Sequence, residues 1–257
     1  MRWGAVAHRV AGAIIVAVLL SPLVLVVLFA FTDKAVSNFP ITGLTLRWWR
    51  EMLAFEPFPT ALANSLTIGL SVGLLAATIG TMAALGLACL PARRAQLAMA
   101  VLALPLMLPP LFIAVMLLVW YLFLQLPLGL STVVLSHLLF TLPFVVIVVY
   151  ARLSSFDFRT VEAARDLGAS PLRAFVDITL PVIRPMVIGA ALMAIALSVD
   201  DFILTSFTIG GGNTLPILVM STLRRSVTPM TNAIGTMLIG LSVASTLTAL
   251  YLTRYRG

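Results

Sequence analysis

Six stretches of this 257-residue sequence are long and apolar enough to cross a lipid bilayer, each set off from the next by a more polar segment. They fall near residues 10–31, 61–89, 97–124, 131–150, 186–207 and 233–253. A hydrocarbon core of about 30 Å takes about 20 predominantly apolar residues in a helix. In lipid every backbone N–H and C=O needs a partner within the protein, and a helix supplies these within one segment. The expectation is an all-α membrane protein of six transmembrane helices, with residues 1–257 forming a single transmembrane domain and nothing left for a separate soluble one. Composition agrees, since 61% of residues are hydrophobic and only 10% charged, against about 25% charged in soluble domains.

The charges orient these spans. With a cytoplasmic N-terminus and six crossings, Arg2, Arg9, Arg93, Arg94, Arg152, Arg159, Arg165, Arg173, Arg184, Arg254 and Arg256 share one side, and Lys34, Arg47, Arg50, Arg224 and Arg225 the other. That asymmetry places both termini in the cytoplasm. It also accounts for the net charge of +7 without nucleic acid, which needs basic residues clustered on a folded soluble face. The first apolar run is longer than the core of a signal peptide and lacks a small-residue cleavage site, so it reads as an uncleaved anchor. The single cysteine, Cys89, excludes an intrachain disulfide, and two histidines, His8 and His137, are too few to make a metal site by themselves. His137 is expected to make a packing hydrogen bond between helices.

Local features refine this plan. Residues 32–60 carry Trp48, Trp49, Phe55 and Phe58 among charges and prolines, which suits a segment lying at the outer interface. In the second span Gly69 and Gly73, followed by Gly80 and Gly86, let a neighbouring backbone approach closely. Pro105, Pro109 and Pro110 break or bend the third span, which then either lines a pathway or only shapes packing. The run Gly210-Gly211-Gly212 lacks the lysine and hydroxyl residue of a phosphate-binding loop, so this chain is expected to bind no ATP and to turn there outside the fifth span. A short apolar stretch follows near residues 215–223.

The loop 151–184 is the longest stretch on the cytoplasmic side and the only one there rich in both charge signs. Glu162 to Gly168, with the sequence EAARDLG, reads as a short amphipathic helix ended by glycine, and Ser170-Pro171 fits the cap and first position of a second helix. Glu162-Ala163-Ala164, Gly168 and Ile178-Thr179-Leu180-Pro181 stand at the spacing E-A-A, three residues, G, nine residues, I-x-L-P. This signature resembles that of the permease subunits of bacterial ATP-binding-cassette importers. The resemblance implies the type I importer permease fold, with a coupling helix that docks on a cytoplasmic ATPase through Glu162, Ala163, Ala164, Asp166, Gly168, Ile178, Leu180 and Pro181. Segments LPLMLPP at 104–110 and SVDDF at 198–202 look most similar to spermidine and putrescine permeases, with Val199 where that family has leucine.

The same resemblance implies a bacterial inner-membrane location and the partners: a second, non-identical permease, two cytoplasmic ATPases holding ATP and Mg, and a periplasmic substrate-binding protein. No cofactor and no catalytic residue are expected here; the chain forms half of a pathway and is not an enzyme. Asp200 and Asp201 follow an apolar run, and acids there normally face a water-filled cavity or a paired cation. For a polycation such as a polyamine, Asp200, Asp201, Phe202, Trp120 and Tyr121 are the candidate pathway residues, the aromatic rings adding cation–π attraction. The alternative for the acids is a cap on the fifth span or an ion pair with Arg224 or Arg225. Adjacent helical residues point about 100° apart, so one acid is expected to face the pathway and the other to pair with an arginine. Other cargoes of the same importer class, an opine, a phosphonate or ferric iron, remain open, as does an ion-gradient carrier, though that class leaves the 162–181 motif unexplained.

Overall fold

The computed structural model describes residues 2–225 and 228–254, with side chains over 8–225 and 228–252. It divides into two compact units, residues 1–60 with 218–240 and residues 61–217 with 241–257.

In the first unit, α1 (Arg2–Phe29) carries a 22-residue span from His8 to Phe29 whose most apolar window buries nothing. Exposed apolar residues around a long helix suit lipid on all sides. The chain then folds back on itself. A bridge joins Thr32 and Leu44, the amide of Asp33 donates to the Gly43 carbonyl at 3.1 Å, and the Asp33 carboxylate accepts from Thr42 Oγ1 at 2.9 Å. Amphipathic α2 (Arg47–Ala54) lays Trp48 and Met52 inward. Trp48 Nε1 donates to the Thr32 carbonyl at 2.7 Å, and Phe58 is buried as well. These two aromatic side chains are packed inside their unit, where an indole N–H with a nearby carbonyl can be buried without loss.

The second unit holds the main core. In it lie most of α3 (Pro57–Ala88), α4 (Ala92–Met107), α5 (Pro110–Phe123), α6 (Leu130–Ser154), α7 (Arg159–Asp166), α8 (Pro171–Ala174), α9 (Leu180–Asp200) and α10 (Ile203–Thr208). α6 and α9 pack along their lengths, and Ile68, Val72, Val145, Val146, Val149, Leu153, Ile183 and Ala194 fill the core between α3, α6 and α9. α11 (Leu215–Arg225) is too short to span, and α12 (Pro229–Arg254) closes the described chain. Among the described residues, five helical segments are long and apolar enough to cross a membrane, and α4 with α5 makes a sixth when taken as one broken span.

That break turns the chain by 95°. Pro110 forces the residue before it out of the helical region, and Pro109 sits at ψ 132° and Leu108 at ψ 141°. Pro110 then opens α5 at a position where its missing N–H costs nothing. The fifth span also departs from its expected limits. Helix begins at Pro171, passes through a π turn at Phe175–Thr179, and ends at Asp200. Pro181 has no N–H and its ring crowds the carbonyl four residues back; the widened turn, in which the Leu180 amide reaches the Phe175 carbonyl, accommodates it. At the other end the backbone is extended at Asp201 before α10 begins. Gly210, at φ +68°, turns the chain where a β-carbon would lie 3.1 Å from the Leu128 carbonyl oxygen.

Three of the α3 glycines, Gly69, Gly73 and Gly80, are packing positions, and Gly86 is not. A β-carbon on Gly69 would lie 2.6 Å from Val199 Cγ2, and one on Gly73 would strike the Ile195 side chain and come within 3.2 Å of the Ala191 carbonyl oxygen. Overpacking a close helix contact costs about 1–3 kcal/mol. Gly73→Val is therefore expected to lower the thermal unfolding midpoint of the purified complex by several degrees. Gly86→Ala, whose β-carbon would meet nothing within 4 Å, is expected to leave it in place.

Candidate functional site

Two regions of the larger unit carry unusual chemistry. At the first, the α9–α10 break borders a cavity of about 730 Å³. Its walls are Pro105, Leu108 and Pro110 from the proline break, Phe140 of α6, Asp200 to Leu204, and Ser242 and Thr246 of α12. The lining is apolar apart from the two aspartates and two hydroxyls. Ser242 Oγ is buried with no hydrogen-bond partner among the described residues.

The two aspartates have different surroundings. Asp201 turns toward α6 and α10, where its Oδ2 accepts from the Thr205 amide at 2.9 Å, lies 3.2 Å from Thr205 Oγ1 and 3.3 Å from His137 Nε2. Its partner is thus a histidine, where the sequence suggested an arginine. Asp200 is exposed, and no hydrogen bond or ion pair reaches its carboxylate from any described residue. Phe202 is half-buried beside it on the cavity wall. The remaining two candidates lie elsewhere. Trp120, 55% exposed, stacks near Phe123 and lines a separate apolar hollow with Met116, Leu117 and Leu139. Tyr121 is buried with its hydroxyl 3.0 Å from Ser136 Oγ, a packing bond between α5 and α6.

His137, Ser198 and Thr205 were not legible as neighbours of the aspartates. The available signal was a histidine inside an apolar run together with hydroxyls near Asp201, but only the fold brings residues 137 and 198–205 together.

The second region is the elbow between α6 and α9. Asp157 precedes α7, accepts from the amide of Arg159 at 3.1 Å and receives its guanidinium through both oxygens. Those bonds, the side-chain one foremost, hold the Asp157 carboxyl below its ordinary range. The support they give is therefore complete above the usual aspartate range and is lost as pH falls through the lowered value. α7 closes in a Schellman turn: the Gly168 amide donates to the Arg165 carbonyl at 2.9 Å and the Ala169 amide to the Ala164 carbonyl at 3.0 Å. Ser170 then caps α8, its Oγ accepting from the Arg173 amide, with Pro171 at the first helical position. Glu162, Ala163 and Asp166 are exposed on α7, and Ala164 is half-buried. Ile178 and Leu180 are half-buried where the π turn meets α9, and Pro181 is exposed there. Leu167 and Leu172 stand out at 91% and 72% exposure, flanked by Arg165, Asp166 and Arg173. Apolar tips ringed by charges suit a protein partner.

Membrane-crossing helices, a cavity beside a broken span and a locally capped elbow between α6 and α9 suit a membrane transport subunit. The family described as the binding-protein-dependent transport system inner membrane component matches residues 69–255, and the chain belongs to that family, the permease subunits of ATP-binding-cassette importers. It is a multi-pass inner-membrane transport subunit, not an enzyme; ATP is hydrolysed by separate subunits of such importers. The chain is 35% identical over 231 residues to the putrescine transport system permease protein PotI of Escherichia coli strain K12, covering 86% of this chain and 82% of that one. It is 32% identical over 243 residues to the spermidine/putrescine transport system permease protein PotC of the same strain, covering 93% and 91%. Among solved structures, a chain of a bacterial ABC transporter involved in import of the acidic polysaccharide alginate matches with a TM-score of 0.72 at 14% identity, over 100% of this chain and 97% of that one. A chain of the inward-facing MetNI methionine transporter matches at 0.58 and 16%, over 79% and 99%. These two establish the type I importer permease fold and nothing of cargo.

Gly168 gives the elbow a direct test. Its φ is +93° with open space around it, so a side chain is opposed by backbone strain alone, about 1–2 kcal/mol for an L-residue. In Gly168→Ala the amides of residues 168 and 169 are expected to exchange with deuterium roughly five- to thirtyfold faster than in the parent, while Gly211→Ala leaves them unchanged.

Proposed function

We propose that this chain forms half of the translocation pathway of an importer for polyamines, with Asp200 as the carboxylate that receives an ammonium group of the cargo. The observation that carries the reading is the exposed, unengaged Asp200 on the wall of a largely apolar cavity where a membrane-crossing helix breaks off. An ionised acid in such a place faces water or a cation. The relatives named for putrescine and spermidine transport supply the matching cation, an extended chain with several ammonium groups and apolar methylenes between them. Phe202 adds an aromatic face beside the acid.

The rest of the assembly follows from this reading. A second, non-identical permease completes the pathway. Two ATPase subunits, which hold ATP and Mg, dock on the α7–α8 elbow through Glu162, Ala163, Ala164, Asp166 and Gly168, and the Ile178-Leu180-Pro181 stretch passes their closure to α9. A periplasmic binding protein delivers cargo at the other face; one structural relative is described in complex with a periplasmic protein bound to its own ligand. Both termini and the elbow then lie in the cytoplasm.

The test is uptake of labelled putrescine and spermidine by proteoliposomes holding the complete complex, with binding protein outside and ATP inside. Asp200→Asn is expected to lower kcat/KM for both amines by about tenfold or more, because a hydrogen bond to a charged group contributes about 1.5–3 kcal/mol. Glu162→Lys is expected to abolish ATP-dependent uptake while leaving cargo binding to the binding protein intact. Full uptake in Asp200→Asn removes the carboxylate from the pathway, and ATPase stimulation only by a binding protein loaded with an anion removes polyamines as cargo.

A further inference from the structure

His137 is fully buried on α6, and each of its ring nitrogens is engaged by a group on the broken fifth span. Nδ1 lies 2.7 Å from Ser198 Oγ, near the end of α9. Nε2 lies 3.0 Å from Thr205 Oγ1, in α10, and 3.3 Å from Asp201 Oδ2, between the two helices. Thr205 Oγ1 is the atom that Nε2 hydrogen-bonds, and the Asp201 carboxylate lies in close contact beside that bond. One ring therefore touches the helix before the break, the break itself and the helix after it. Thr205 completes the hold: its amide donates to Asp201 Oδ2 at 2.9 Å, and its hydroxyl lies 3.0 Å from the Asp201 backbone carbonyl.

The consequence falls on the neighbouring acid. Two adjacent carboxylates on one cavity wall would repel each other and would hold a cation together. With Asp201 Oδ2 accepting from the Thr205 amide and set against the His137 imidazole, Asp201 is turned into the protein, and Asp200 alone meets the cavity unengaged.

Resting on the polyamine reading of the cavity, we infer that His137 is a positioning residue that withholds Asp201 from the cargo and leaves Asp200 as the single free carboxylate of the pathway. A pathway has to release what it binds. One carboxylate attracts one ammonium group at a time, whereas a freed pair would hold a multiply charged amine more tightly and let it go more slowly.

The test reads carboxylate reactivity directly, in the assembled complex without cargo. Carbodiimide with a neutral amine nucleophile labels accessible acids, and fragmentation of the 198–205 peptide separates modification at Asp200 from that at Asp201. Label is expected at Asp200 with Asp201 protected at least fivefold. His137→Ala and His137→Asn, whose side chains fall short of Asp201, are expected to bring Asp201 to the level of Asp200. His137→Gln, which still presents a donor, is expected to restore protection. The asparagine variant keeps the test decisive if alanine prevents assembly. Asp201 as reactive as Asp200 in the parent, or still protected in both short variants, overturns the inference.

Transport kinetics separate positioning from mere support. In His137→Asn the KM for spermidine is expected to fall severalfold together with kcat, the mark of tighter holding and slower release. A loss of kcat with KM unchanged points to a structural role and overturns the assignment. The polyamine reading fails separately, when saturating putrescine and loaded binding protein do not protect Asp200 from label in the parent; the labelling of Asp201 across the His137 variants is unaffected by that outcome.

Discussion

A break at the end of a membrane-crossing helix leaves amides and carbonyls that lipid cannot satisfy; after Asp200 the Thr205 amide donates to Asp201 Oδ2 and the Thr205 hydroxyl to the Asp201 carbonyl, while α6 holds the side chains around them. Thr132 Oγ1 donates to the Thr208 carbonyl at 2.7 Å, His137 holds Ser198 and Thr205, and Ser136 meets Tyr121 from α5. Thr132, Ser136 and His137 form a buried polar seam on α6, with Val133, Val145, Val146 and Val149 buried along the same helix. The proline break between α4 and α5 opens on the same cavity. Two interruptions of different origin, one from missing amide donors and one from a carboxylate-capped turn, thus meet at a single place.

The elbow shows the opposite solution. Outside the bundle water can satisfy open groups, yet α7 and α8 are closed locally by a glycine in the left-handed region, a serine cap and a proline at the first helical position. These caps are local in sequence, and Leu167 and Leu172 stand in the open beside them.

The sequence was most informative where structure is local. The six apolar runs, the glycine packing face of α3 and the Gly168-Ser170-Pro171 turn were all readable because period, side-chain size and capping chemistry act over a few residues. The limits of the fifth span were not, since Pro181 and Pro185 argue against helix, yet a π turn accommodates Pro181 and α9 continues through Pro185. Tyr121 was misplaced for a related reason: an aromatic residue with a polar tip suits a membrane interface, a cation site or a buried core equally well, and a partner distant in sequence decides. His137 was expected to make a packing bond, and it does; that the bond lands on one of the two acids depended on residues 137 and 201 meeting, which no periodicity encodes.

The π turn at Phe175–Thr179 sits at one end of α9 and Asp200 at the other. A helix of that length, about 30 Å at 1.5 Å per residue, would act as a lever if it pivoted at the widened turn. A tilt of about 10° there swings the far end through roughly 5 Å, farther than a hydrogen bond is long. A small rotation at the elbow is thereby enough to carry a carboxylate from reach of an ammonium group to out of reach, with no change in the shape of α9 itself.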